Sequence, residues 1–458
     1  MRHTIPKPFL ENPPAPETIF GEATLGSSAS PAAINTIQAP PLPHTGSLSL
    51  DDCLTLALKV SPTLDSAQQQ QLSAMWSEWQ AKTAFLPTGT MSYGYTRYDH
   101  DQITSLTLGH QQFTWQTQIT QPLFTGGRTL ANYLLSQLGV EAATIQTTQT
   151  RENLLLAVKQ AYFSILATEK ALAVAKASVV NLSSHLSVAQ NFFDVGMVPR
   201  NQVLEAEVEL ANAQQEETNQ TRNLVVNIAR LNILLRQPLE TSLKIQDNLR
   251  YSVFPLTLDR CLELGLSNNP EILLGKNQVE AGAKNVDLAR ADLYPQISLA
   301  YTLASTGNTA KAYGGWQQNS SSWNIAAVAS INFWEWGRTL ANIEKNKILL
   351  NQAIDSLTSL EDNLKLEITS NYQSLLSAGR NIDTSAKAVV AAAENLRMAT
   401  ERYQEQVATN TEVLDAQTRY SQAQYEHFAA LYNYNLAWAA LERSLGQRVI
   451  ALGSAPRA

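Results

Sequence analysis

The longest regular pattern in the chain is a heptad seam. From Leu154, apolar side chains recur at Val158, Ala161, Ile165, Leu172, Ala175, Val179, Leu182, Leu186, Ala189 and Phe193, in alternating steps of four and three with Thr168 interposed. Such spacing belongs to helices that pack knobs-into-holes over many turns. Counted from Gly127, it predicts a helix of about 70 residues, about 105 Å long. A turn at Gly196-Met197-Val198-Pro199 then reverses the chain, and a return helix runs to about Arg236.

Upstream of the seam the period changes from three and a half to two. Met91, Tyr93 and Tyr95 alternate with small or polar residues, as do Phe113, Trp115, Thr117 and Ile119. Further on, Ile297, Leu299, Tyr301 and Leu303 alternate, followed by Trp323, Ile325, Ala327, Ala329, Ile331 and Phe333. Period two with one apolar face predicts strands against lipid or a core. Trp115, Tyr313, Trp316, Trp323, Trp334 and Trp336 gather at or near the ends of these runs. Aromatic girdles of a membrane barrel sit there; the core of a β-sandwich is the other reading.

The patterns occur twice. Gly127-Arg128-Thr129-Leu130-Ala131-Asn132 recurs as Gly337-Arg338-Thr339-Leu340-Ala341-Asn342, 210 residues later. Tyr162 and Tyr372 keep that offset, as do Val203-Leu204-Glu205-Ala206 and Val413-Leu414-Asp415-Ala416. Cys53 and Cys261, and Pro87 and Pro295, keep an offset of 208. Two structural repeats follow. Each opens with a short amphipathic helix (Leu50 to Lys59; Leu258 to Ser267), then a helix started by proline (Pro62 to Phe85; Pro270 to Leu293).

The predicted organisation is a Pro-rich tail over residues 1–46, a first repeat over 47–245, a second over 255–448, and a C-terminal tail over 449–458. The first repeat carries strands at about 89–98 and 111–124 and a helical hairpin at about 126–236. The second carries strands at about 296–304 and 321–334 and a hairpin at about 337–445. The fold class is mainly α with a small β portion.

Composition removes several functions. A net charge of −7 without a basic cluster excludes a nucleic-acid footprint. Charged residues make up only 16% of the chain, and Gln, Asn, Ser and Thr take their place. The six histidines show no HExxH or HxH spacing, so no metal site is expected. Cys53 and Cys261 lie in apolar helical stretches and read as buried thiols, with a disulfide between them left open. No Ser/His/Asp, Cys/His or metal constellation marks an enzyme, and no cofactor is implied. No apolar run is long enough for a transmembrane helix, and the first residues lack the apolar core of a signal peptide.

Four short strands cannot close a membrane barrel, since the smallest use about eight. An open edge in lipid leaves backbone groups unpaired at several kcal/mol each. Three copies would supply twelve strands, with the long helices continuing as a tube.

This order of elements, run twice, resembles the TolC-type outer-membrane efflux proteins over roughly residues 48–448. Gln121-Pro122-Leu123-Phe124-Thr125-Gly126-Gly127-Arg128 looks like that family's exit from strand to helix, and Ile331-Asn332-Phe333-Trp334-Glu335-Trp336-Gly337-Arg338 like its second copy. Phe193-Asp194-Val195-Gly196-Met197 looks like the first hairpin tip; Tyr403 and Thr411-Glu412-Val413-Leu414-Asp415-Ala416 look like the second. The resemblance implies a homotrimer with α- and β-barrel portions in the outer membrane of a double-membrane bacterium, extending into the periplasm. It also implies a periplasmic adaptor protein and an inner-membrane pump as partners, in efflux or type I secretion.

The resemblance carries roles onto particular residues. Glu412 and Asp415 match an acidic ring at the constriction, and Tyr403 matches a tyrosine that holds the entrance shut. Glu405 adds a carboxylate nearby, and Val195, Gly196 and Met197 match the adaptor-contact turn. Gly126, Gly127, Arg128, Gly337 and Arg338 form the strand-to-helix turns. Simpler readings accompany these. Glu412 and Asp415 lie in a first helical turn, with Thr409 and Glu412 placed for a capping box. Tyr403 can be a packing aromatic, and Gly196 a turn glycine. The chain departs from the family at Glu405-Gln406-Val407, where a Val-Gly-Thr turn is usual, at Gln202 for a common aspartate, and at Ala408 for a common arginine. The family's hydrogen-bond latch is therefore expected to be absent or built differently. A coiled-coil scaffold or surface stalk without a pore is the competing function.

Overall fold

The computed structural model describes residues 47–103, 108–247, 249, 251–312 and 321–446. The expected tails, with Tyr313 and Trp316, lie outside them. Each repeat runs short helix, helix, strand pair, long helix, return helix. The first comprises α1 (Leu50–Val60), α2 (Pro62–Thr83), β1 (Thr88–Ile103), β2 (Leu108–Phe124), α3 (Arg128–Asp194) and α4 (Arg200–Leu234). The second comprises α5 (Leu258–Asn268), α6 (Pro270–Arg290), β3 (Gln296–Gly307), β4 (Ser321–Ser330), α7 (Arg338–Gln404) and α8 (Asn410–Leu445). A single 3-10 turn, Ala291–Leu293, finishes α6.

Local sequence sets these boundaries. Ser49 caps α1 in a reciprocal capping box with Asp52. Ser61 and Asn269 cap α2 and α6, each with proline in the first helical position. The matching helices α3 and α7 are each 67 residues long, which spans about 100 Å at 1.5 Å per residue.

The repeat extends to the backbone's unusual conformations. Gly126, Gly127, Gly196 and Arg236 have φ of 65°, 89°, 77° and 57°. Their counterparts 210 residues on, Trp336, Gly337, Gln406 and Gly446, have φ of 52°, 81°, 63° and 67°. Both repeats thus bend at the same four places in the left-handed region, which favours glycine. Arg236, Trp336 and Gln406 hold that geometry against their own Cβ. The turn matters more than the residue, because it fixes where one element hands over to the next.

The four strands form one antiparallel sheet in the order β1-β2-β3-β4. Its register sorts residues into rows. Gly89, Ile119, Tyr301 and Ile325 lie side by side, as do Met91, Thr117, Leu303 and Trp323, on one face. The alternate rows run Thr90, Gln118, Thr302, Asn324 and Ser92, Gln116, Ala304, Ser322. One face is therefore apolar and the other polar. The apolar face is uncovered: Met91 is 74% exposed, Trp323 66% and Ile325 62%.

The strand boundaries differ from expectation: β1 runs on to Ile103, β2 starts at Leu108 and β3 ends at Gly307, all longer than expected, while β4 is shorter. The run to 334 was expected to be strand, but β4 ends at Ser330. Ser330 pairs with Gln296, the first residue of β3 after Pro295, so no strand remains for Ile331–Trp334 to pair with. Trp334 and Trp336 then lie in the connection to α7, both exposed, with their rings edge to face.

Two apolar cores anchor the helices, one per repeat. The first gathers Cys53, Tyr162, Ile165, Leu231 and Leu235; the second gathers Cys261, Ile272, Ile368, Leu375 and Leu445. Cys53 and Cys261 are free, buried thiols in separate cores, which closes the question of a disulfide between them. Burial pushes the Cys53 thiol up to about 12. The Tyr162 hydroxyl donates to the carbonyl oxygens of Leu48 and Gln246, and that of Tyr372 to Leu256, so each repeat ties a connecting segment to its long helix the same way. A buried ion pair, Lys159 to Glu442, joins α3 to α8, and Trp438 also donates to Glu442.

The paired glycine turns give a contrast that sequence alone does not. A Cβ on Gly126 would sit 2.4 Å from the Ala291 carbonyl oxygen and 2.9 Å from Tyr294 Cβ, whereas a Cβ on Gly337 meets nothing within 4 Å. Gly337→Ala should cost about 1–2 kcal/mol, the left-handed penalty alone. Gly126→Ala should cost about 1–3 kcal/mol more, because backbone must move. Heat-denaturation midpoints of the two purified variants check the order.

Candidate functional site

The reversals at the ends of the long helices hold most of the candidate residues. In the first, the Met197 N–H donates to Phe192 O and the Gly196 N–H to Phe193 O, both at 2.8 Å. In the second, the Val407 N–H donates to Arg402 O and the Gln406 N–H to Tyr403 O, at 2.8 and 2.9 Å. This is one helix-ending motif used twice, with glycine in its left-handed position once and Gln406 the other time. The departure from a glycine turn therefore changes the strain and leaves the path of the chain intact. The two tips also touch, because Gln406 Nε2 donates to the Met197 sulfur at 2.8 Å. Val195 and Met197 are exposed.

The expected acidic residues are placed differently from one another. Glu412 is the third residue of α8 and forms a full capping box with Thr409. Its carboxylate also lies 3.6 Å from Arg402 on the last turn of α7. Asp415, one turn on, is exposed. Glu405 is exposed at the C-terminal end of α7, where the helix dipole disfavours a carboxylate. Arg402, which also donates to Val407 O, was not singled out from the sequence.

Tyr403 is 3% exposed and packs between His185, with ring centroids 4.9 Å apart, and Phe192, at 5.7 Å. Its hydroxyl is buried with no hydrogen-bond partner among the described residues, and burial raises its pKa. The ring borders a cavity of about 220 Å³ between α3, α7 and α8, whose walls include Asn181, His185, Thr400 and Gln417. Gln202, at the position of the common aspartate, has a buried side-chain oxygen that is likewise unpartnered. Asn410 bridges the two hairpins with three bonds, to His185, to Glu205 and to the Gln202 carbonyl. Neither His185 nor Asn410 was among the expected residues. His185 interrupts the apolar seam, where Leu186 was expected to point inward; near the tip the buried line passes through Leu182, His185 and Ala189 and leaves Phe193 exposed.

The strand-to-helix turns form the second group. Gly126 and Gly127 carry the chain from β2 into α3, and Trp336 and Gly337 carry the connection after β4 into α7. Their arginines diverge. Arg128 pairs with Asp292 at the end of α6, across the repeats, while Arg338 pairs with Glu335 only three residues back. The first turn is clamped to its neighbour; the second is held locally.

These features have counterparts in known proteins. The outer membrane efflux protein family matches residues 53–235 and again 261–447, one match per repeat. The alkaline protease secretion protein AprF of Pseudomonas aeruginosa is 24% identical over 415 residues, covering 86% of this chain and 83% of that protein. The outer membrane efflux protein BepC of Brucella suis is 24% identical over 409 residues, covering 86% of each. The crystal structure of the outer membrane protein VceC from Vibrio cholerae superposes with a TM-score of 0.76 at 18% identity, covering 87% of this chain and 96% of that one.

The capping box makes the structural share of Glu412 measurable. Glu412→Gln keeps the reciprocal hydrogen bonds, since glutamine serves equally at that position. Glu412→Ala removes the bonds its carboxylate accepts from the Thr409 N–H and hydroxyl, leaves the backbone bond to Thr409 Oγ1, and should cost about 0.5–1.5 kcal/mol. Amide exchange over Asn410–Val413 should accelerate in the alanine variant and stay near the parent's in the glutamine variant.

Proposed function

The chain belongs to the outer membrane efflux protein family, and from that premise we propose how its two ends divide the work of an exit duct. The protein is an outer-membrane channel of tripartite efflux and secretion systems and not an enzyme. The observation that carries the reading is the sheet: apolar rows uncovered on one face, Thr, Gln, Ser and Asn rows on the other, and two unpaired edges among the described strands. Apolar rows of that kind suit acyl chains, and polar rows suit a water-filled lumen.

Closure requires neighbours. Three copies place β4 of one protomer beside β1 of the next and give twelve strands, and the homotrimer is the assembly of this family. The same symmetry repeats the helical hairpins around one axis, which continues the lumen into the periplasm. The tips then meet at the far end, where Tyr403, Glu405, Glu412 and Asp415 form the gate region. Repeated carboxylates there favour cations over anions at a constriction. Val195, Gly196 and Met197 offer an exposed apolar turn to a periplasmic adaptor, and an inner-membrane pump supplies the energy. The family's relatives carry names from both protease secretion and efflux, so one duct design serves different cargo. A scaffold or stalk would leave the exposed apolar sheet face without a purpose.

Two experiments test this. The native mass of the detergent-extracted protein should be that of three chains; a stable monomer, or a protein soluble without detergent, would remove the shared barrel. In planar bilayers, the double variant Glu412→Gln/Asp415→Asn should lose block by multivalent cations by about tenfold or more while remaining trimeric. Unchanged block would place the constriction elsewhere.

A further inference from the structure

We propose that His185, Asn410 and Glu205 form the clasp that holds the two hairpins of each protomer together at the tip, and that acidification releases it. The inference rests on the tip being the gate, as argued above, and adds what locks it and what unlocks it.

The geometry defines each proton. Asn410 Nδ2 donates to the Gln202 carbonyl at 3.2 Å and to Glu205 Oε2 at 3.1 Å. Both amide hydrogens are thereby used, which leaves Asn410 Oδ1 as an acceptor, 2.7 Å from His185 Nε2. The imidazole therefore carries its proton on Nε2, an assignment made by the network. One side chain at the start of α8 thus grips α3 and α4 together. Asn410 is 1% exposed and His185 8%. Any motion that swings the α7–α8 hairpin away from α3–α4 must break all three bonds. This arrangement stands in for the latch that Gln202 and Ala408 do not provide.

The groups facing the imidazole give the clasp its pH dependence. From α7 it meets the Tyr403 ring; from α8, Asn410; from α4, Glu205 reaches it only through Asn410. On α3 itself Asn181, Leu182, Ser184 and Val188 line the same cavity, and none of them is titratable. Burial lowers that pKa from the ordinary value of 6.5, and the bond to Asn410 offsets part of the effect. The closed clasp therefore binds a proton less readily than an opened, solvated one. Its stability is complete above the ordinary histidine range and is lost as pH falls from that range through the closed-state value. A second proton, on Nδ1, places a cation in a buried, uncharged wall with no carboxylate in direct contact.

Single-trimer conductance in planar bilayers tests both parts. Between about pH 7.5 and pH 5.5, the open fraction of the parent protein should rise about threefold or more. His185→Gln keeps a donor for Asn410 but cannot titrate, and should stay closed at both. Asn410→Ala, checked as trimeric by native mass, should be open at both. An acid response that survives in His185→Gln overturns the proton-sensing role. A neutral-pH closed state in Asn410→Ala overturns the clasp, and Asn410→Ser provides a second variant should the first not assemble. If trimers conduct at neither pH in any variant, the channel reading itself fails, a result distinct from either of these.

Discussion

A β-sheet in hydrocarbon must satisfy its backbone N–H and C=O groups within itself, and among the described residues this sheet ends on two open edges, β1 and β4. Each unpaired group left in lipid costs several kcal/mol. The strands are 10 to 17 residues long, so an unpaired edge would strand several such groups. No local adjustment removes that penalty; only further strands do. Association of copies is thus a condition for the sheet to exist in a membrane, and the symmetry it imposes decides where every helix must go.

The doubled sequence meets that condition economically. A barrel built from identical copies of a repeated hairpin needs the same exit from strand to helix at each position around the ring. The shared left-handed turns supply it: Gly126-Gly127 and Trp336-Gly337 aim the long helices alike, and Gly196 and Gln406 reverse them alike. The repeats then diverge where their surroundings differ. Gly126 lies against Ala291 and Tyr294 and tolerates no side chain, while Trp336 at the equivalent position stands in open solvent. Arg128 reaches Asp292 across the repeats, while Arg338 turns back to Glu335. Similar backbone with different neighbours is what permits near-symmetry in a chain whose halves occupy different places in the ring.

The elements and their doubling were legible in the sequence because periodicity is local. A heptad seam and a two-residue alternation can be counted without knowing what they pack against, and the identity at Gly127–Asn132 and Gly337–Asn342 fixes the repeat. β4 was read too long because its end depends on Pro295, which precedes the partner strand β3. At the tip, Tyr403, Glu412 and Gly196 stood out through motif order. His185, Asn410 and Arg402 did not, because their roles come from contacts between segments about 200 residues apart in the chain or on opposite sides of a turn. A weak signal existed: a histidine at a buried position of an apolar seam requires a partner, and the partner's identity lies beyond any spacing rule.

The distribution of apolar packing explains why the clasp is polar. The two main cores surround α1 and α5, and each contains several large aliphatic side chains that are fully buried. The tip cluster is small, with Ala399, Tyr403, Val413 and Ala416 as its buried members. A region with little apolar burial opens at lower free energy than the body of the fold. Adding large aliphatic residues there would lock the hairpins, since packed cores resist graded displacement. Hydrogen bonds through Asn410 hold the closed geometry instead, and water replaces them once the hairpins part, so their net contribution is about 1 kcal/mol each. The proposed gate needs contacts that are directional when made and cheap to exchange, a requirement that favours asparagine, glutamine and histidine over leucine at the tip.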